Sequence, residues 1–189
     1  MSIEFTDIEK VHDGHAKLFV AKVRLANGEV VEREIEDHGT AVSVLPYDAG
    51  RRTALLVRQF RAPVFFVTRE EELLEAVAGM IEDAQAADCA RREAFEEAGL
   101  RLNRLEPVFA GWTMPGNSTE RMDLFLAPYS EADRVGPGGG ADGEQENVTV
   151  VEMSLADLAA MADSGRLTDM KTFALVQSLR LRHPELFAD

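Results

Sequence analysis

The sequence predicts a mixed α/β fold in which β structure leads, on three observations. An Asn27-Gly28 dipeptide sits between two strand-like segments. More short strand-like runs follow it, and from residue 88 the apolar period lengthens from two to between three and four.

Residues 17–25 and 29–35 flank Asn27-Gly28, the pair that most readily takes the positive backbone angles of a tight turn, so the two segments form a hairpin. Residues 41–45 and 53–59 read as short strands, separated by a turn-like stretch, 46–52, that holds Asp48 and Gly50. Over residues 88–98 the pattern is helical. Ala87, Ala90, Ala94 and Ala98 recur at threes and fours as one face of small side chains, and Gly99 stops the helix. Residues 105–112, 122–127 and 148–153 are the next strands, the last two divided by a long polar stretch. Ser154 with Asp157 is an N-cap signal ahead of Leu155, Leu158 and Met161, and Gly165 ends that helix. A final helix covers about 169–182, with Phe173, Leu175, Val176 and Leu179 on its buried side.

At 189 residues and 46% hydrophobic content, the chain can bury one sizeable core, and one domain with an appendage is expected. A net charge of −14 opposes binding to nucleic acid or to an acidic membrane surface. A phosphorylated substrate therefore needs local help, from metal ions or placed arginines. The single cysteine, Cys89, falls inside the helical pattern and reads as a small buried side chain, which suits a reducing cytosol. No segment approaches the length of a membrane span or a signal sequence. The expectation is a soluble, cytoplasmic protein with neither a nucleic-acid nor a membrane partner.

Glu93, Glu96 and Glu97 stand at helical offsets of three and four, so their carboxylates share one face and repel one another. An arbitrary acidic helix with this pattern is a solvated stripe, compensated here by Arg91 and Arg92. The chemical alternative is a cage for a hard divalent cation, for which carboxylate oxygens are the preferred ligands. Spacing alone does not decide between them.

The longer context does. Gly79-Met-Ile-Glu-Asp-Ala-Gln-Ala-Ala-Asp-Cys-Ala-Arg-Arg-Glu-Ala-Phe-Glu-Glu-Ala-Gly-Leu100 resembles the Nudix box, G-x5-E-x7-R-E-U-x-E-E-x-G-U with U aliphatic. Its second half matches at every fixed position, and Leu74-Glu-Ala-Val-Ala-Gly79 is similar to the strand that enters the box in that family. The first half departs: Gln85 stands where the family usually has glutamate, and the spacing is one residue short, which bears on the number of metals. The resemblance implies a Nudix α/β/α sandwich on a mixed sheet plus an N-terminal β-hairpin extension. Residues 1–38 would then be a hairpin and dimerisation region and residues 39–189 the hydrolase domain. It also implies magnesium, one to three ions with manganese as a substitute, held by Glu93, Glu97 and the Ala78 carbonyl. Arg92, one turn before Glu96, is spaced for an ion pair that orients the acidic face.

The resemblance extends over nearly the whole chain and points to the branch that cuts nucleoside-diphosphate sugars, GDP-mannose ahead of ADP-ribose. Leu56-Val-Arg-Gln-Phe-Arg61 is similar to the family's arginine-bearing strand, where Arg61 suits a phosphate oxygen; read without the family, it is plain strand sequence. Glu32-Arg-Glu-Ile-Glu resembles the segment that reaches a neighbouring subunit's nucleotide, which gives Arg33 a substrate contact within a homodimer. Met114-Pro-Gly-Asn-Ser-Thr-Glu120 resembles a loop whose glutamate touches substrate, although Glu120 is equally an exposed turn acid. The glycine-rich stretch that begins at Gly136 reads by itself as a surface linker. Beside the family it resembles a loop that closes over the diphosphate, with Glu144 as general base and Glu146 as metal ligand, or those two roles exchanged. Lys171, in Thr168-Asp-Met-Lys-Thr172, resembles a late substrate contact and is otherwise an ordinary solvated lysine. A second class stays open: a nucleotide-binding or regulatory module that kept the fold and lost hydrolysis, motivated by Gln85.

Overall fold

The computed structural model describes residues 2–82, 85–140 and 148–188. Among these, ten strands and four α-helices divide into two compact units: Met1–Ala41 with Ala110–Met122, and Val42–Phe109 with Asp123–Asp189.

The first unit is built on the Asn27-Gly28 turn. Gly28 has φ 89°, its N–H donates to the Leu25 carbonyl, and strands β2 (Lys17–Arg24) and β3 (Val30–Asp37) pair antiparallel across it. A third strand, β1 (Glu4–Asp13), lies on the other side of β2, where the sequence showed no alternation. The reason is local. Phe5 and Ile8 are three residues apart yet face the same way, because a bulge falls between them and their partners Val23 and Ala21 are two apart. The segment 110–122 joins this unit through β3: Glu36 N–H donates to the Asn117 carbonyl at 2.7 Å, and the Thr119 hydroxyl donates to Asp37 at 2.7 Å.

Most of the larger sheet falls in the second unit. Strands β4 (Thr40–Asp48), β5 (Thr53–Gln59), β6 (Leu73–Glu75), β7 (Val77–Ile81), β8 (Glu106–Trp112), β9 (Arg121–Pro128) and β10 (Thr149–Ser154) form seven strands in the order β10-β5-β4-β9-β8, with β6 on β5 and β7 on β4. The β4 strand runs through Pro46 and turns only at Asp48, whose carboxylate accepts the backbone N–H groups of Gly50 and Arg51. Helix α1 (Ala62–Thr68) was not legible beforehand, since Val64-Phe-Phe-Val favours strand; Pro63 in its first turn starts it.

Alternation along β4 and β5 buries both faces of the sheet. Val42, Val44, Leu55 and Val57 meet helix α2 (Ala86–Ala98) through Cys89, Ala90, Ala94 and Ala98. Leu45 and Leu56 fall on the opposite face, and helices α3 (Leu155–Asp163) and α4 (Met170–Arg182) contribute the buried Leu155, Leu158, Leu175 and Leu179. Each such leucine contributes about 1.5–3 kcal/mol of transfer free energy. The N-cap expected at Ser154 is present, its hydroxyl accepting from Asp157 N–H at 3.0 Å, and the structure adds a second cap at Asp169, which accepts from Thr172 N–H at 3.0 Å. The second unit is the α/β/α arrangement expected. No described helix is long and apolar enough to cross a membrane.

Candidate active site

The small side chains on α2 let its backbone approach the sheet, and that closeness brings two glutamates onto β7. Glu97, 2% exposed, accepts the Ala78 backbone N–H at 3.2 Å. Glu93, 9% exposed and one turn earlier, lays its carboxyl group over Gly79, where an ideal Cβ would stand 2.1 Å from both Cδ and Oε1. Gly79 is glycine because a carboxylate occupies its side-chain space. Arg92 ties the acidic face together, with Nη2 at 2.6 Å from Glu93 Oε1 and Nη1 at 2.9 Å from Glu96 Oε2. Burial works against the Arg92 charge, but Glu93, Cys89 and Glu96 together outweigh it and hold its pKa above the ordinary value. Cys89 is buried as expected, and burial raises its thiol pKa.

A helix leaves its last carbonyls unpaired. Here Gly99, in the left-handed conformation, and Leu100 return to the Phe95 and Ala94 carbonyls, and the glycine-rich segment takes most of the rest. Gly140 N–H donates to Glu96 O at 3.1 Å, Gly139 N–H to Glu97 O at 2.9 Å, and Val135 N–H to Gly99 O at 2.9 Å. Gly138 has φ 71°, and a Cβ there would sit 2.3 Å from the Glu97 carbonyl oxygen. Residues 136–140, read from sequence as linker or lid, are fastened to the end of the glutamate helix. Glu144 and Glu146 lie outside the described residues.

A second cluster adjoins the first. Glu75, 2% exposed and three residues before Ala78, accepts from Arg61 Nε at 2.7 Å on one oxygen and from Lys171 Nζ on the other. Lys171 also pairs with Asp169 at 3.0 Å. The fully buried Thr172 hydroxyl donates to Asp169 and accepts the Ala76 N–H at 2.6 Å. Burial disfavours the Arg61 charge more than any single partner favours it. The Glu75 hydrogen bond and the charges of Glu75, Glu97 and Asp169 together still raise its pKa. Arg61 therefore lies within the field of Glu97, which links the two clusters.

Ala78, Arg92, Glu93, Glu96 and Glu97 are thus brought together, with Arg61 and Lys171 beside them. Arg33 and Glu120 belong to the first unit. Arg33 lines a cavity of about 480 Å³ there with Phe5, Val23, Ile35 and Trp112, and Glu120 is held through its backbone by Ser118 and Thr113. Gln85 is the N-cap residue of α2, eight residues and about 12 Å of helix axis before Glu93. Sequence reasoning missed Glu75. Its signal was an acid inside the apolar run Leu73-Leu-Glu-Ala-Val77, since a charged residue is almost never buried without a partner.

No group of three or more His, Cys, Asp or Glu side chains is gathered as a metal cage among the described residues. What β7 and α2 supply is two carboxylates and the carbonyl of Ala78, an oxygen-only set. That set fits a hard cation that completes its shell with water and substrate phosphate.

A glutamate helix folded onto the strand that precedes it, within an α/β/α unit, defines a class, and the NUDIX domain profile matches residues 37–173. The chain belongs to the Nudix hydrolase family. It is 37% identical over 167 residues to a GDP-mannose pyrophosphatase of Pectobacterium atrosepticum, covering 87% of this chain and 86% of that one. With a GDP-mannose pyrophosphatase of Cronobacter sakazakii it shares 39% identity over 159 residues, 82% of each chain. Among solved structures, an ADP compounds hydrolase superposes with a TM-score of 0.78 at 18% identity over 98% of this chain and 96% of that one, a likeness of fold.

Proposed function

We propose that this enzyme hydrolyses the diphosphate bond of a nucleoside-diphosphate sugar, GDP-mannose ahead of ADP-ribose, giving a nucleoside monophosphate and a sugar phosphate. The observation that carries the reading is the pair of buried carboxylates, Glu93 and Glu97, held against Ala78 and Gly79 beside Arg61 and Lys171. The relatives named for GDP-mannose favour the substrate.

Glu93, Glu97 and the Ala78 carbonyl hold magnesium, with manganese as a substitute and Glu146 as a further ligand. Up to three ions are accommodated in this reading. The cation screens the diphosphate oxygens and lowers the pKa of water. Arg92 orients Glu93 and Glu96. Arg61 and Lys171 take phosphate oxygens through donors that Glu75 and Asp169 leave over, while Glu144 removes the proton from the attacking water as the bridging P–O bond breaks. Arg33 and Glu120 contact the nucleotide-sugar, Arg33 across the interface of a homodimer. The cytoplasm is the proposed compartment, in keeping with the reduced, buried Cys89. Against the non-hydrolytic alternative stands the position of Gln85, far from the glutamate pair whose geometry it would have to spoil.

A panel of GDP-mannose, ADP-ribose and other nucleotide-sugars, assayed with product identification with and without magnesium, tests the reading. GDP-mannose is expected to turn over fastest, and Glu97→Gln to lower turnover on the order of 10²–10³-fold with the fold intact. No hydrolysis of any panel member with magnesium or manganese present defeats it.

A further inference from the structure

We infer that Glu75 is a positioning residue for substrate binding: it grips Arg61 and Lys171 together and fixes the geometry in which their remaining donors meet the diphosphate. The inference rests on the proposed phosphate contacts of those two cations.

Arginine carries five N–H donors in a rigid fork, and Glu75 occupies only the Nε one, at 2.7 Å. Among the described residues the Nη groups of Arg61 donate no hydrogen bond, which leaves the outer edge of the fork, suited to bidentate phosphate binding, as donors still to be used. Lysine carries three donors, of which Glu75 and Asp169 take two and leave one. Held by one carboxylate, the two cations have a fixed separation, and neither spends rotamer entropy when substrate arrives.

The carboxylate is itself fixed. Glu75 ends β6, Arg58–Leu74 and Val57–Glu75 pairing aligns that strand on β5, and Thr172 accepts the N–H of the next residue, Ala76. The Asp169 cap seats Thr172 and Lys171 on the first turn of α4. Two cations and two carboxylates balance in this cluster, which is why a buried acid is tolerated there.

Glu75→Gln keeps the side chain's shape and one acceptor oxygen while removing the charge. Glu75→Asp keeps the charge and shortens the reach by one methylene. If Glu75 positions the cations, both variants raise KM for GDP-mannose by about 10–100-fold, with a smaller change in kcat, and both weaken binding of inorganic pyrophosphate with magnesium present, read by calorimetry. Arg61→Ala weakens pyrophosphate binding in the wild-type background and adds little to Glu75→Gln. A role in charge balance alone predicts instead that Glu75→Asp restores both readouts, and that the Arg61→Ala and Glu75→Gln effects multiply independently. Either result overturns the inference. Should Glu75→Gln fold poorly, Glu75→Asp with Arg61→Ala completes the same cycle. A wild-type protein that binds pyrophosphate but cleaves no nucleotide-sugar defeats the proposed reaction and leaves the role of Glu75 to be decided by the binding cycle.

Discussion

Helix α2 is held from two directions, and the two holds differ in kind. Toward β7 the contact is made by side chains: the Glu93 carboxylate fills the space above Gly79, and Glu97 reaches the Ala78 N–H. At its C-terminal end the contact is backbone to backbone, with Gly139 and Gly140 donating to the carbonyls of Glu97 and Glu96. A crowded side chain can swing aside, whereas a crowded carbonyl must take its helix with it. Damage on the first side should therefore appear in activity, and damage on the second in stability.

The largest effect is expected at Gly138. Alanine there meets the Glu97 carbonyl at 2.3 Å and also carries the cost of a left-handed residue at φ 71°. Together the crowding and the backbone conformation amount to roughly 2–5 kcal/mol, to be read as a lowered denaturation midpoint. Gly79→Ala sharpens the contrast. The atoms in its way are the far end of Glu93 and its φ is not in the left-handed region, so stability should change by about 1 kcal/mol or less, while turnover falls about 10–100-fold. An inactive variant that is also unfolded, or a folded one with full activity, breaks the comparison. The last contrast is with Gly165→Ala, whose φ of 72° matches Gly138 but whose surroundings are open. It should cost roughly 1–2 kcal/mol and leave turnover unchanged. Equal losses at 138 and 165 would mean that the clash is not felt and that the glycine run does not brace the helix.

The legibility of these regions in the sequence follows the range of the forces involved. The glutamate helix was readable because its small face and its acids repeat within thirteen residues, and the hairpin because two residues fix its turn. The sandwich beyond them came from resemblance. Strand β1 was hidden because bulges broke its period. Glu75 was hidden because its partners stand 14 and 96 residues away, and no local pattern records a contact of that length. Residues 136–140 read as slack chain for the same reason, since glycine spacing says nothing of the carbonyls, some forty residues earlier, that the run satisfies.

The neutral balance of the Arg61, Lys171, Glu75 and Asp169 cluster has a consequence for the rate of encounter. With its cations matched charge for charge, the cluster projects no net attraction over distance, and the molecule around it carries −14. A doubly charged nucleotide-sugar therefore approaches against a weakly repulsive field and gains from the cations only on arrival. Salt that shortens the Debye length from about 30 Å to about 8 Å should leave kcat/KM level or raise it, the reverse of an enzyme that steers its anionic substrate through a positive funnel.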